Sequence, residues 1–303
     1  LERIKGAIFD YPTITTNAAY LKLVKKYLKK HKVKKYQIIL EPFKRNTAPA
    51  MLSSALIQKG SNIQPMLFLP SDNLIGDINQ FNKSISIHKK CLSENNIFIF
   101  GNKTISPSSE YGYFLVKKIS KYINKVIRFI EKPDKNKLKT ILKKKAYMNS
   151  GMFFIRKDSI IANFKKFQKK MYVYCDNAVT RSKNYNNIYY LNKSSFKKIQ
   201  PISFDFAILE KAKNVNGIKL NISLTDLGNW KEIWKFFKEH ISKTNIRKNT
   251  YYRPWGKYIN LYSGKGFLLK ELVINPKSSI SLQKHHYRSE RWTIISGKPK
   301  ITI

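Results

Sequence analysis

Short apolar runs alternate with more polar segments through the first three quarters of the chain. Such runs, bounded by polar or turn-forming residues, predict buried strands. They lie at 37–40, 65–70, 97–101, 125–130, 152–156 and 217–223. The segments between them predict helices at 17–30, 50–57, 78–91, 135–145, 158–170 and 204–212, the first with Asn17 as a candidate N-cap.

This alternation predicts an α/β fold with a mostly parallel mixed sheet and helices on both faces. In such sheets, ligands bind beyond the carboxyl ends of the strands. We therefore expect functional residues in the loops that directly follow the apolar runs.

The pattern changes near residue 240. We predict one domain over 1–240, a polar and basic linker over 241–252, and a β-rich segment over 253–303. Short apolar stretches with Gly and Pro turns continue to the end of the segment, including RWTIISGKPKITI, and predict strands. About 50 residues are too few to close a β-barrel, so this segment is expected to be incomplete.

The charge is strongly basic, with 59 Lys and Arg against 18 Asp and Glu, a net charge of +41. The lysines are spread along the chain and form no single stripe interleaved with aromatics, so we expect solvated surface rather than a nucleic-acid site. An affinity for double-stranded nucleic acid of any sequence that falls steeply with salt concentration would instead indicate a nucleic-acid-binding protein. No apolar stretch is long enough for a membrane span, and no leader follows Leu1. Cys91 and Cys175 lack metal or disulfide spacing, which favours a reducing cytoplasm.

Two carboxylates follow apolar runs at positions suited to a metal ion. Asp72 follows PMLFLP, and Asp226 follows GIKLNISLT just before a predicted helix. Mg²⁺ takes one or two protein carboxylates and completes its coordination with phosphate oxygens and water. Either residue could instead be a helix N-cap, and the spacing alone does not pair them.

Two further loops carry polar residues suited to a phosphorylated sugar. Glu131 and Lys132 follow the run KVIRFI, where the Lys could neutralise a phosphate and the Glu could accept hydroxyl hydrogens. Asn149, before Ser150-Gly151, offers both a donor and an acceptor. Both segments are also common without a functional role, the first where a strand ends and the second in a turn.

Taken together and in order, the motifs resemble a known family. They are EPFKRNTAPA (41–50), LPSD (69–72), EYGY (110–113), FIEKP (129–133), NSGMF (149–153) and DLGNW (226–230). This set resembles the sugar nucleotidyltransferases, specifically the bacterial mannose-1-phosphate guanylyltransferases. RPWGKY (253–258) and SLQKHHYRSERWTIISG (281–297) resemble the start of the cupin-type phosphomannose isomerase domain of the longer, bifunctional enzymes.

The resemblance implies a Rossmann-like nucleotidyltransferase domain that makes GDP-mannose and diphosphate from GTP and mannose 1-phosphate. It implies that Asp72 and Asp226 hold Mg²⁺ and that Lys132 contacts the sugar phosphate. Substrate-binding roles are implied for Glu131, Asn149 and Gly112 at the mannose, and for Glu41, Arg45, Asn46 and Thr47 at the nucleotide. In the cupin segment, Gln283, His285 and Glu290 stand where a divalent metal such as Zn²⁺ is bound, although isomerase activity is not expected from the incomplete segment.

The chain also departs from the family pattern. The glycine-rich loop that cradles the triphosphate has no counterpart here, and the sequence starts at Leu1 rather than Met, so we expect a fragment. Without that loop we expect little transferase activity from these 303 residues alone, with the missing segment either left out of the given sequence or supplied by a separate chain. The alternative is a decayed, non-catalytic remnant that at most binds a sugar nucleotide. The sequence is also compatible with a homo-oligomer.

Overall fold

The apolar runs form strands, with bounds close to those that the sequence predicts. The computed structural model describes residues 1–4, 6, 8–103, 107–228, 230–240, 249–283 and 285–302. The strands are β1 (Thr13–Asn17), β2 (Gln37–Glu41), β3 (Pro65–Phe68), β4 (Asn73–Ile75), β5 (Ile97–Asn102), β6 (Tyr113–Lys118), β7 (Asn124–Ile130), β8 (Tyr147–Arg156), β9 (Lys183–Tyr185), β10 (Ile188–Tyr190), β11 (Val215–Leu220), β12 (Leu224–Asp226), β13 (Thr250–Arg253), β14 (Gly256–Gly264) and β15 (Phe267–Ile274).

The helices follow the predicted order, together with two that the sequence pattern does not predict, Lys169–Thr180 and Lys193–Lys197. They are α1 (Leu21–Lys30), α2 (Thr47–Ile57), α3 (Ile78–Lys89), α4 (Lys135–Lys143), α5 (Lys157–Phe167), α6 (Lys169–Thr180), α7 (Lys193–Lys197) and α8 (Trp230–His240). Asn17 caps a 3₁₀ turn, Ala18–Tyr20, that leads into α1. The helix predicted over 204–212 is instead a short π-helix, Asp205–Leu209. No helix in the described ranges combines the length and hydropathy that a bilayer crossing needs.

Contacts along the chain define two units, Leu1–Pro70 with Ile75–Leu224, and Ser71–Leu74 with Thr225–Ile303. The first unit contains a four-stranded sheet in the order β1-β2-β10-β9 and a six-stranded sheet in the order β3-β8-β5-β11-β7-β6. In the smaller sheet, β1 and β10 both run parallel to β2. In the larger one, β5 and β11 are parallel, whereas β8 runs antiparallel to β3 and β5.

The α/β fold with mixed sheets is therefore confirmed, but the expected predominance of parallel pairs is not found in the larger sheet. Alternating strands and helices give parallel pairs only where a helix crosses over between neighbouring strands. Strands β6 and β7 are instead joined by a tight turn at 119–123 and pair as an antiparallel hairpin.

The core of the first unit lies on both faces of the larger sheet. On β5, Ile97 and Ile99 pack into a cluster with α2, α5 and α6, whereas Phe98 and Phe100 pack on the opposite side with α3. Successive side chains of a strand point to opposite faces, so a strand covered on both faces must be apolar throughout. This explains the uninterrupted IFIF run.

The second unit contains the antiparallel sheet β13-β14-β15. Helix α8 lies against it: the Phe237 and Tyr262 rings are 5.0 Å apart, and Lys238 Nζ is 3.3 Å from Glu271 Oε1. These contacts group α8 with the β-rich segment, although the sequence assigned residues up to 240 to the first domain. Of the predicted linker, 241–248 lie outside the described residues, and Thr250 already belongs to β13.

Strand prediction fails at the end of the chain. Within the described part of 275–302, no residue is in a strand. Trp292 and Ile294 each remain 45% exposed, so the apolar side chains of this stretch are not covered by a neighbouring strand. An isolated strand without a partner or a packed face is not stable in water, which explains the wrong prediction.

Candidate functional site

Two carboxylates that are distant in sequence come together in the second unit. Asp72 directly precedes β4 and Asp226 ends β12, and these two strands pair as a two-stranded sheet. The Leu227 N–H donates to the Asp72 carbonyl oxygen at 2.9 Å. A Cβ placed on Gly228 would lie 2.6 Å from Asp72 Oδ2 and 3.0 Å from Asp226 Oδ1. Both carboxylates thus border one small space, and the two oxygens cannot be farther apart than those two distances combined.

The absence of a side chain at Gly228 keeps that space open. Asp226 Oδ1 also accepts a hydrogen bond from the Gly228 N–H at 2.8 Å, which fixes the orientation of this carboxylate. Asp72 is followed by a strand rather than a helix, and the next helix is capped by Asp77, so the N-cap alternative for Asp72 does not apply. Two acidic oxygens facing one point suit a hard divalent cation.

Asp72 and Asp226 alone do not complete the coordination shell of a metal ion. Among the residues that the structure describes, no three His, Cys, Asp or Glu side chains are grouped closely enough to hold a metal ion. Any ion at Asp72 and Asp226 would therefore complete its shell with ligand or solvent oxygens, as Mg²⁺ commonly does in phosphate chemistry.

In the first unit, Glu131, Gly112 and Asn149 lie together where β6, β7 and β8 meet. The Asn149 N–H donates to the Gly112 carbonyl oxygen at 2.8 Å. A Cβ on Gly112 would collide with Glu131 Oε2, so the Glu131 carboxylate lies directly over the Gly112 backbone. Glycine at 112 is what permits this close approach.

The Asn149 side chain is held by two partners. Its Nδ2 donates to Asp205 Oδ1 at 2.8 Å, and its Oδ1 accepts from the Gly151 N–H at 3.3 Å. Asp205 begins the π-helix, a rare element that often occurs at functional sites. Sequence reasoning missed Asp205, because an acidic residue at the start of a predicted helix is typical of a helix N-terminus.

The carboxyl groups of this cluster titrate well above their usual range. Burial raises the pKa of Glu131 to about 7, with a further increase from Asp205, whereas Lys132 lowers it. Burial likewise raises the pKa of Asp205 to about 6, and Lys132 again opposes the shift. Lys132 is thus close to both carboxylates. Its backbone has φ 45°, a left-handed conformation uncommon for a residue other than glycine.

The β2–α2 loop contains the predicted nucleotide-binding residues. Asn46, with φ 69°, caps α2 by accepting from the Thr47 N–H at 2.8 Å. Thr47 Oγ1 accepts from the Phe204 N–H at 2.9 Å, and the Arg45 guanidinium donates to the Lys197 carbonyl oxygen at 2.8 Å. Both contacts tie the loop to the segment that precedes Asp205.

Two polar atoms in this region are buried without a hydrogen-bond partner among the described residues, Glu41 Oε1 at the end of β2 and Arg45 Nε in the loop. Burial raises the pKa of Glu41 to about 7. An unpaired buried polar group costs about 1–3 kcal/mol, so such groups are expected to gain a partner when a polar ligand binds.

Of the predicted cupin ligands, His285 and Glu290 lie together, with Nε2 and Oε1 3.2 Å apart. The Arg288 guanidinium contacts both, at 2.7 Å from His285 and 3.1 Å from Glu290. Gln283 donates to Ser281 Oγ instead. In this arrangement both predicted ligands contact a cationic side chain.

Comparisons with known proteins identify the families that the chain matches. Residues 1–243 match the family described as Nucleotidyl transferase, and residues 240–303 match the C-terminal domain of mannose-6-phosphate isomerase. The alginate biosynthesis protein AlgA of Pseudomonas putida is 24% identical, with 100% of this chain and 77% of that protein covered. A mannose-1-phosphate guanylyltransferase of Salmonella montevideo is 26% identical, with 100% and 79% covered.

Solved structures show the same fold. The crystal structure of mannose-6-phosphate isomerase from Helicobacter pylori matches with a TM-score of 0.67 and 25% identity, over 74% of this chain and 88% of that one. A structure from Thermus thermophilus, described as mannose-1-phosphate geranyltransferase, matches with a TM-score of 0.63 and 19% identity, over 74% and 63%.

Proposed function

We propose a specific reaction from the premise that this chain belongs to the nucleotidyl transferase family, which matches residues 1–243. The reaction is that of a mannose-1-phosphate guanylyltransferase. A phosphate oxygen of mannose 1-phosphate attacks the α-phosphorus of GTP, and the bond from the α-phosphorus to the bridging oxygen breaks. GDP-mannose forms and diphosphate leaves. The observation that carries the proposal is the convergence of the Asp72 and Asp226 carboxylates beside Gly228.

Asp72 and Asp226 would hold Mg²⁺, which offsets the negative charge of the triphosphate and of the transition state when bound. The two carboxylates leave most coordination positions for phosphate oxygens and water. The Gly228 N–H keeps Asp226 oriented before any ion arrives. Preorganisation of this kind matters because such transfers depend on positioning and electrostatics rather than on a covalent nucleophile.

The first unit would bind the sugar phosphate at the cluster around Glu131. The Glu131 carboxylate accepts hydrogen bonds from sugar hydroxyls, and the Asn149 side chain can both donate and accept. Lys132, an exposed cation beside two acidic side chains, would bind the phosphate. Without that cation, the two acidic groups would repel a phosphorylated sugar.

The β2–α2 loop would receive the nucleotide. Glu41 Oε1 can accept from N–H or hydroxyl groups of a nucleoside, and Arg45 Nε can donate to a ribose or phosphate oxygen. Asn46 and Thr47 hold the loop in shape through their contacts with α2 and Phe204. A nucleotide in this loop would give the two unpaired buried atoms the partners that they lack in the protein alone.

Lys132→Ala tests the substrate class. We expect the wild-type protein to bind mannose 1-phosphate in isothermal titration calorimetry and to bind unphosphorylated mannose far more weakly. The variant should bind mannose 1-phosphate about ten- to a hundred-fold more weakly, because it loses a charge-assisted hydrogen bond worth about 1.5–3 kcal/mol. Its affinity for GTP should be unchanged.

Lys135→Ala is the matched control, since it removes the same charge from the exposed start of α4, three residues away. It should bind mannose 1-phosphate like the wild type. Equal losses in both variants would show that Lys132 acts only through general charge. No binding of mannose 1-phosphate by the wild type would contradict the proposed substrate.

A further inference from the structure

The π-helix residue Asp205 fixes which way the Asn149 amide faces. Asn149 Nδ2 donates to an acidic oxygen of Asp205, and Asn149 Oδ1 accepts from the Gly151 N–H. If the amide rotated by half a turn, its oxygen would face the Asp205 carboxylate and its N–H₂ group would face the Gly151 N–H. Both contacts would then be repulsive, so the two partners specify the same orientation.

This orientation determines what Asn149 can offer to a ligand. The amide has two N–H donors and two acceptor lone pairs. One donor is committed to Asp205 and one lone pair to Gly151, which leaves one donor and one lone pair in fixed directions. Asn149 is itself buried, with 7% of its surface exposed, and its backbone is held by Gly112.

Asp205 is also tied to the nucleotide loop. Three hydrogen bonds join the segment 202–204 to the loop: Phe204 N–H to Thr47 Oγ1, Ala48 N–H to the Ile202 carbonyl, and Ile202 N–H to the Arg45 carbonyl. The next residue in the chain is Asp205. The position of its carboxylate therefore depends on the geometry of the β2–α2 loop.

From these contacts we propose that Asp205 is a positioning residue of the sugar-phosphate site, which holds the Asn149 amide in the orientation that binds a sugar hydroxyl and links that site to the β2–α2 loop. This inference rests on the proposed function. Asp205 acts through Asn149 and need not touch the sugar.

The charged groups around Asp205 come from several elements. Glu131 and Lys132 follow β7, and Glu210 follows the π-helix. Glu210 raises the pKa of both Glu131 and Asp205 through its charge, but its exposed side chain has no hydrogen bond to Asn149 among the described contacts. Glu210→Gln therefore removes a neighbouring charge while it leaves the Asn149 amide in place, which makes it the matched control for Asp205 variants.

The first test needs no ligand. In ¹⁵N NMR spectra of the whole chain, the Asn149 side-chain N–H₂ pair is identified by its loss in Asn149→Ala. Between about pH 4.5 and 8 this pair should shift with a midpoint near 6, the pKa of Asp205. In Asp205→Asn the transition near pH 6 should be lost, whereas in Glu210→Gln it should remain with a lower midpoint. The inference would be overturned if the chemical shifts of the Asn149 side-chain N–H₂ pair did not change with pH in the wild type. It would also be overturned if they kept a transition near pH 6 in Asp205→Asn.

The second test measures the consequence for binding. Asp205→Ala frees the Asn149 amide and should weaken mannose 1-phosphate binding about ten-fold, equivalent to ~1.4 kcal/mol. Asp205→Asn, which keeps an acceptor for Nδ2, should lose less, and Glu210→Gln should bind like the wild type. An unchanged affinity in Asp205→Ala would overturn the inference, as would an equal loss of GTP binding with a lowered melting temperature, since that indicates a purely structural role.

The two proposals fail differently. If the wild type does not bind mannose 1-phosphate, the proposed function fails, whereas the NMR titration still decides whether Asp205 controls the Asn149 amide. If the wild type binds and Asp205→Ala binds equally well, the proposed function stands and the inference fails.

Discussion

At the residue scale, three partly buried carboxyl groups keep their protons to higher pH than free side chains do. Burial raises the pKa of Glu41 and Glu131 to about 7 and that of Asp205 to about 6. In the unfolded chain these groups would lose their protons at about pH 4. Between these limits the folded protein binds more protons than the unfolded one, so their contribution to the free energy of unfolding falls as pH rises.

Glu41 is the best residue on which to test this effect, because burial alone accounts for its shift. The stability difference between wild type and Glu41→Gln should change with pH in favour of the variant, by about 2–3 kcal/mol between about pH 4.5 and 8. Urea denaturation at both pH values measures it. The exposed Glu94→Gln should show no comparable change, and a Glu41→Gln difference that is constant with pH would contradict the expectation.

The sequence indicates some residues of the site better than others. Asp72, Glu131 and Asn149 follow or precede apolar runs, where the sheet edge is expected to carry functional groups. Asp205 could not be predicted in this way, because its role depends on a contact with Asn149, 56 positions away in the sequence. The pairing of Asp72 with Asp226 is implied by the family resemblance but not by spacing or periodicity, since β4 and β12 are too short to be predicted as strands.

At the element scale, the β2–α2 loop is shaped by a strained residue. Asn46 has φ 69°, and its side chain caps α2. Asn46→Ala should lower the free energy of unfolding by about 1–3 kcal/mol, because it loses the cap and places a Cβ-bearing residue without a compensating hydrogen bond in a left-handed conformation. Urea unfolding curves with unchanged slope measure this loss.

Asn46→Gly separates the two causes, because glycine adopts positive φ freely but cannot cap through a side chain. It should lose only a few tenths of a kcal/mol relative to wild type. If the alanine variant were no less stable than the glycine variant, the backbone strain would not contribute.

Strands that consist of one continuous buried apolar run could be predicted from the sequence. Strands that are defined only by pairing with a neighbouring strand could not. The central residues of β2 and β5 are apolar because sheet neighbours and helices cover both faces. Strands β6, β9 and β10 are short or mixed in composition, so only their pairing defines them. Residues 292–302 show the reverse case, a sequence with apolar and β-branched residues that forms no strand, since no residue that the structure describes pairs with it.

At the scale of the whole molecule, the net charge of +41 is the dominant property. Like charges on a compact surface repel one another, and salt screens that repulsion, with a Debye length of about 10 Å at 0.1 M and ~3 Å at 1 M. We expect the melting temperature to rise by several °C, on the order of 1–2 kcal/mol of stability, between about 20 and 500 mM NaCl.

Differential scanning calorimetry measures this rise. Potassium chloride at equal ionic strength is the control, because screening depends on ionic strength and not on which monovalent cation supplies it. A melting temperature that falls or stays constant with added salt would show that the surface charges are already balanced by local contacts.

The central claim is that this chain carries the Mg²⁺-binding carboxylates of a GDP-mannose-forming enzyme, and product formation tests it most directly. GTP, mannose 1-phosphate and Mg²⁺ are incubated with the chain, alone and with a co-expressed segment that carries a glycine-rich phosphate-binding loop, and GDP-mannose is detected by mass spectrometry. We expect GDP-mannose when that segment is present and little from the 303 residues alone, loss of the product on chelation of Mg²⁺, and a fall of at least about 100-fold in Asp226→Asn. GDP-mannose in neither arm, or at an undiminished rate in Asp226→Asn, would contradict it.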